Sequence, residues 1–114
     1  MFFGACYYPE HWDREEWEHH AKLMQEAGFR TIRTADFAWG LLEKEEDRFD
    51  FSFLDDAISI LAKEGIQVIL CTPTAAPPKW LANKYDILQR DRYGRKKNWG
   101  SRREYCPNSE EYQK

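Results

Sequence analysis

Cysteine is scarce in this sequence of 114 residues. Cys6, Cys71 and Cys106 are odd in number and far apart, which argues against a disulfide framework, and no Cys-x-x-Cys pair is present. A basic excess is also missing. Lys and Arg number 17 against 20 Asp and Glu, a net charge of −3, so nucleic acid is not expected as the main partner. The one basic run, Arg90 to Arg103, is interrupted by Asp91 and reads as a solvated loop. No apolar stretch approaches transmembrane length. The apolar start, Met1-Phe2-Phe3-Gly4-Ala5-Cys6, lacks a basic flank and runs at once into Pro9-Glu10-His11, so no leader is expected. A reduced, cytoplasmic setting without a membrane fits these absences.

Aromatic residues, by contrast, are plentiful at 16%, with five Trp, six Tyr and seven Phe. Most belong to a core by their large apolar area, although aromatic faces also suit the stacking of sugar rings. Phe2 to Tyr8 is an uninterrupted run that predicts a buried strand of a parallel sheet, ended by Pro9. Asp13 with Glu16 predicts a capping box, and Trp12 with Trp17 a hydrophobic staple. Trp17, Ala21, Met24 and Ala27 keep helical spacing up to a stop at Gly28. Arg30 to Thr34 predicts a second strand, turning at Ala35-Asp36.

The unit then repeats. Phe37 to Asp50 reads as irregular, and Ser52 to Glu64 as a helix with Leu54, Ala57, Ile58 and Leu61 on one face. Its cap is either Ser52 or Asp50. Gly65 ends the helix, and Gln67 to Thr72 is the clearest strand. The order β-α-β-α-β predicts parallel strands with helices outside. From Pro73 to about Pro107 only one short helix, Pro78 to Asn83, is expected, in a connection well beyond the usual limit of about 12–15 residues. Asn108 with Glu111 predicts the cap of a third helix. A doubly wound sheet shares this pattern, but it would normally carry a Gly-rich loop after its first strand, where this chain has Tyr7-Tyr8-Pro9-Glu10-His11-Trp12.

In parallel α/β folds the site gathers at the carboxyl ends of the strands. Glu10 and Asp36 stand there on neighbouring strands and by themselves resemble the carboxylate pair of a retaining glycosidase. The plainer reading, a helix entry for Glu10 and a turn for Asp36, is favoured. His19 and His20 are adjacent on a helix and point to different sides, so they do not share a metal. Cys6 and Cys71 read as inert core residues inside apolar strands; Cys106 differs in lying in a polar loop.

Tyr7-Tyr8-Pro9-Glu10-His11-Trp12, Ile32-Arg33 to Phe37-Ala38-Trp39, Phe49-Asp50-Phe51, Thr72-Pro73-Thr74-Ala75-Ala76-Pro77-Pro78-Lys79-Trp80-Leu81 and Gly100-Ser101-Arg102-Arg103 with Tyr105-Cys106 resemble glycoside hydrolase family 42, in order and spacing, over essentially the whole chain. The resemblance implies an α/β fold, the N-terminal portion (about three βα units) of an incomplete (β/α)8 TIM barrel. Residues 1–114 would be the N-terminal part of its catalytic domain, the rest of the protein being absent. It implies a retaining β-galactosidase acting on terminal β-D-galactose, with its acid/base and nucleophile glutamates beyond Lys114, so no catalytic residue is expected here. It further implies that Arg102 and Arg33 bind the sugar. Cys106 would be the first of four cysteines holding a structural zinc, and the full-length protein a homotrimer.

Three departures from the family pattern stand out. Ala35-Asp36 replaces a common Gly-Glu, Glu104 a frequent His, and Arg90-Asp91-Arg92 a frequent Pro-Val-Asp. Two other classes share parts of the pattern. Another barrel glycosidase would keep the architecture without the Ser-Arg-Arg and Tyr-Cys segment. A non-catalytic sugar-binding module would use the aromatic loops without hydrolysis.

Overall fold

The computed structural model describes residues 3–98, 100 and 104–113. The chain divides into two compact units, Met1–Ala35 with Asp50–Thr72, and Asp36–Phe49 with Pro73–Lys114. The second unit is thus built from the two segments that leave the ends of the second and third parallel strands.

The first unit carries the predicted β-α-β-α-β order: β1 (Gly4–Cys6), α1 (Trp17–Glu26), β2 (Thr31–Thr34), α3 (Ser52–Lys63) and β5 (Gln67–Leu70). Its sheet has the order β1-β2-β5, and both pairings are parallel. Register brings Cys6 beside Arg33 and Arg33 beside Ile69. Strand alternation sends Ile32 and Thr34 inward and Arg33 outward. Ile32 is fully buried and packs in one cluster with Trp17, Ala21, Ala57, Ile60, Leu61 and Ile66. Ile60 takes the inward place expected of Ile58, which is only half-buried.

Both helices stop as their glycines predict. Gly28 (φ 85°) and Gly65 (φ 72°) adopt the left-handed conformation. The following residues close the end: Phe29 N–H donates to Met24 O at 2.9 Å, and Ile66 N–H to Leu61 O at 3.0 Å.

The helix starts differ from expectation. Asp13 has extended backbone but makes no side-chain cap, and Arg14–Glu16 form a 3-10 turn ahead of α1. The capping box with Glu16 is therefore not made. Trp17 instead anchors the entry through its indole N–H, which donates to Pro9 O at 3.0 Å and Trp12 O at 3.2 Å. At the start of α3, Asp50 is the acceptor, taking the Ser52 N–H at 3.0 Å and its hydroxyl at 2.6 Å.

β1 is shorter than the apolar run suggested, and all three of its residues are exposed. Cys6 is accordingly exposed and Cys71 half-buried, which corrects their reading as core thiols. An edge strand has one hydrogen-bonded neighbour, and among the described residues nothing covers the strand face of β1.

The second unit holds α2 (Trp39–Leu42), the antiparallel pair β3 (Glu43–Glu45) and β4 (Arg48–Phe49), α4 (Lys79–Lys84) and α5 (Glu110–Gln113). The hairpin was not foreseen in the irregular stretch 37–50; Asp47 turns it with φ 61°. The long last segment is tied by bridges pairing Leu88 with Tyr105 and Arg90 with Lys96. Ion pairs from Asp86 to Arg90 and Lys96, and from Asp91 to Arg95, are all exposed, as a solvated basic loop requires. Asn108 does not begin the last helix. Ser109 does, its carbonyl accepting the Tyr112 N–H and its hydroxyl donating to Glu111 Oε2 at 2.9 Å.

Candidate functional site

In the first unit the carboxyl ends of the strands present Tyr7 to Trp12 after β1 and Arg33-Thr34 at the end of β2. Arg33 lies on the sheet face opposite the helices, because its neighbours Ile32 and Thr34 are the ones buried. It lines a recess of about 300 Å³ with Gly4, Ala5, Cys6, Thr31 and Ile69. Gly4 is required there. A Cβ at that position would lie 2.2 Å from Thr31 O, so β1 and β2 approach as closely as they do only with glycine.

Tyr7 is the second feature of this end. Its hydroxyl hydrogen-bonds His20 Nδ1 at 3.1 Å, and its ring meets the imidazole edge-on. Burial, with Glu16 and Glu10 nearby adding negative charge, pushes the phenol up to about 12. Tyr7 therefore stays neutral over the whole physiological range. Sequence reading saw the aromatic run but not this pair, since the helical position of His20 opposite β1 is a tertiary property. With Tyr8, His11, Trp12, Leu23 and Met24 the two line a largely apolar cleft.

In the second unit two tryptophans are fixed by one acid. Glu43, 6% exposed, accepts the Trp39 indole N–H at 2.7 Å and the Asp47 backbone N–H at 3.0 Å, while its carbonyl takes the Trp80 indole N–H at 2.8 Å. Glu46 holds Tyr85 at 2.7 Å and also pairs with Lys84. Together these residues line a cavity of about 470 Å³ walled by Trp39, Phe49, Trp80 and Tyr85. The shape is an aromatic recess with acidic groups already engaged in holding its walls.

Cys106 sits in the same unit. It is a free, half-buried thiol, and its backbone N–H donates to Ile87 O at 2.6 Å. Tyr105 beside it stacks on Tyr112 with ring centroids 4.1 Å apart, and the Tyr112 hydroxyl donates to Thr74 O at 2.8 Å. Among the described residues no group of three or more His, Cys, Asp or Glu is placed to hold a metal. Cys106 therefore offers a single thiol, with no such group around it among the described residues.

Arg102 lies outside the described residues. Arg33 belongs to the first unit and Cys106 to the second. Glu104, standing where the family often has His, is 3% exposed with one carboxylate oxygen unpartnered; nothing in the sequence marked it as buried.

A parallel sheet with helices packed on one face and an arginine on the other has the pattern of a segment of an α/β barrel. The chain belongs to glycoside hydrolase family 42: the family model described as "Beta-galactosidase" matches residues 6–114. It is 52% identical over 110 residues to a β-galactosidase of Thermus thermophilus, covering 96% of this chain and 17% of that protein. It is 50% identical to β-galactosidase Bga of Halorubrum lacusprofundi, over 98% of this chain and 16% of the relative. Among solved structures, the polyextremophilic β-galactosidase of that haloarchaeon superposes with a TM-score of 0.93 at 49% identity, covering 99% of this chain and 17% of that one. The β-galactosidase of Bacillus circulans sp. alkalophilus gives 0.94 at 38% identity, again over 99% and 17%. The chain therefore spans about 17% of the length of its relatives. It is the N-terminal portion of a (β/α)8 barrel.

Proposed function

We propose that the full-length protein is a retaining β-galactosidase that removes terminal β-D-galactose, and that residues 1–114 supply part of its sugar pocket and none of its catalytic carboxylates. The observation that carries this reading is the family match across residues 6–114, together with the placement of Arg33 on the strand face turned away from the helices. Arginine suits the task because its planar set of N–H donors can hold vicinal hydroxyls in one orientation. Arg102 is the second such donor in this reading. The two glutamates of the retaining mechanism belong to later strands, so Glu10 and Asp36 are not assigned to chemistry.

In the full-length enzyme, Arg102→Ala tests the assignment. Loss of a sugar contact in a water-poor pocket lowers kcat/KM at least about tenfold, or about 1.4 kcal/mol, with the melting temperature held. Wild-type kinetics would remove Arg102 from the site.

Three further features belong to the same reading. Cys106 completes a structural zinc site with three cysteines from later in the protein, a closed thiolate set that adds stability and not chemistry. Metal analysis of the full-length enzyme then gives about one zinc per chain, and Cys106→Ser loses it and lowers Tm. A metal-free wild type with an equally stable serine variant contradicts this. The enzyme works as a homotrimer in the cytoplasm. The three free cysteines favour that compartment, and no helix among the described residues is long and apolar enough to cross a membrane.

A further inference from the structure

Glu10 has surroundings that neither the sugar pocket nor the fold accounts for. It follows the buried Pro9 in a short 3-10 turn (Pro9–His11) just beyond the carboxyl end of β1. Both of its carboxylate oxygens are shut off from solvent, and neither accepts a hydrogen bond. Two donors close to it are already engaged. Trp17 directs its indole N–H to the Pro9 and Trp12 carbonyls, and Tyr7 engages His20. Glu16, the other acid acting on Tyr7, has the same sign of charge.

A carboxylate removed from water without a donor is strongly disfavoured, and folded proteins pair or hydrogen-bond such groups. A neutral donor would satisfy one oxygen. A cation compensates the charge as well, and a guanidinium can reach both oxygens at once. The source of that cation follows from topology. Among the described strands β1 is the edge of the sheet, hydrogen-bonded only to β2, and a closed barrel fills that edge with chain from its far end.

We propose that Glu10 accepts a charge-assisted hydrogen bond from a cationic side chain, best an arginine, carried by the segment that closes the barrel against the free edge of β1. The pair ties the first strand to the last at the rim where the sugar is handled. It rests on the reading of this chain as part of a barrel enzyme, and its partner is a residue of the full-length protein.

The test uses full-length enzyme, with thermal melting and β-galactoside kinetics recorded for wild type and Glu10→Gln, and a crystal structure of the wild type. Glutamine keeps the shape and one acceptor oxygen but removes the charge. The expected result is a Tm lower by about 2 °C or more, as stranding a buried partner charge in a large protein implies, with an Arg, Lys or His nitrogen within about 3.2 Å of the wild-type carboxylate. A glutamine variant that melts with the wild type overturns the proposal, as does a neutral donor or an ordered water in the partner's place. An unchanged Tm with a tenfold higher KM also overturns it, by assigning the carboxylate to the sugar. The wild-type turnover read in the same assay judges the β-galactosidase reading separately: an inactive wild type with the ion pair present would sink that reading alone.

Discussion

Ala35 shows how one residue can mark a family's constraint. It follows β2, is 1% exposed, and holds φ 72°, a conformation that costs an L-residue about 1–2 kcal/mol. Glycine, the residue the family resemblance leads one to expect here, would adopt that conformation without this cost. Ala35→Gly in the full-length enzyme should raise stability by up to about 1 kcal/mol, read as a higher denaturation midpoint; a lower midpoint would show that the alanine methyl packs better than the backbone strains. Other residues were less legible. The outward face of Arg33, named beforehand only through the family resemblance, reflects alternation along β2, a local rule. The exposure of Cys6, the burial of Glu104 and the enclosed carboxylate of Glu10 depend on what covers each residue, and hydropathy along a chain does not contain that.

The elements that sequence found best are those whose stabilising contacts are local and periodic. α3 and β5 appeared within a residue or two of their predicted starts, and the two glycine stops were placed correctly because a left-handed residue after a helix is a local need. The capping box failed for a tertiary reason: the Trp17 indole holds the chain entry through Pro9 and Trp12, so Asp13 is not needed as a cap. The β3–β4 hairpin escaped because its strands are short and rich in charge, with Glu43 their one buried residue and no alternation to read. Its order comes from Glu43, a single buried acid joining Trp39 and the turn at Asp47. Glu43→Ala strands an indole N–H and a backbone N–H together. The expected loss is about 1–3 kcal/mol of stability for the full-length enzyme by denaturant melting. A variant within about 0.5 kcal/mol of wild type would class the acid as a surface group.

Taken whole, the chain presents three parallel strands whose outer faces and edges stay open: Ile69 is 55% and Leu70 57% exposed on β5, and β1 is exposed throughout. Open edges and bare apolar strand faces are features a closed barrel covers, in keeping with a span of about 17% of its relatives. The chemistry divides in the same way. On the proposed function, the arginine on the strand face and the aromatic recess belong to this portion, and the paired glutamates of a retaining mechanism to later strands. Hydrolysis of a chromogenic β-galactoside, assayed side by side with the full-length enzyme and the purified 114-residue chain, tests that division most directly. Turnover by the full-length enzyme and none above buffer for the chain is the predicted result. Turnover by the chain alone, abolished by Glu10→Gln or Asp36→Asn, would contradict it and return those two carboxylates to the active site.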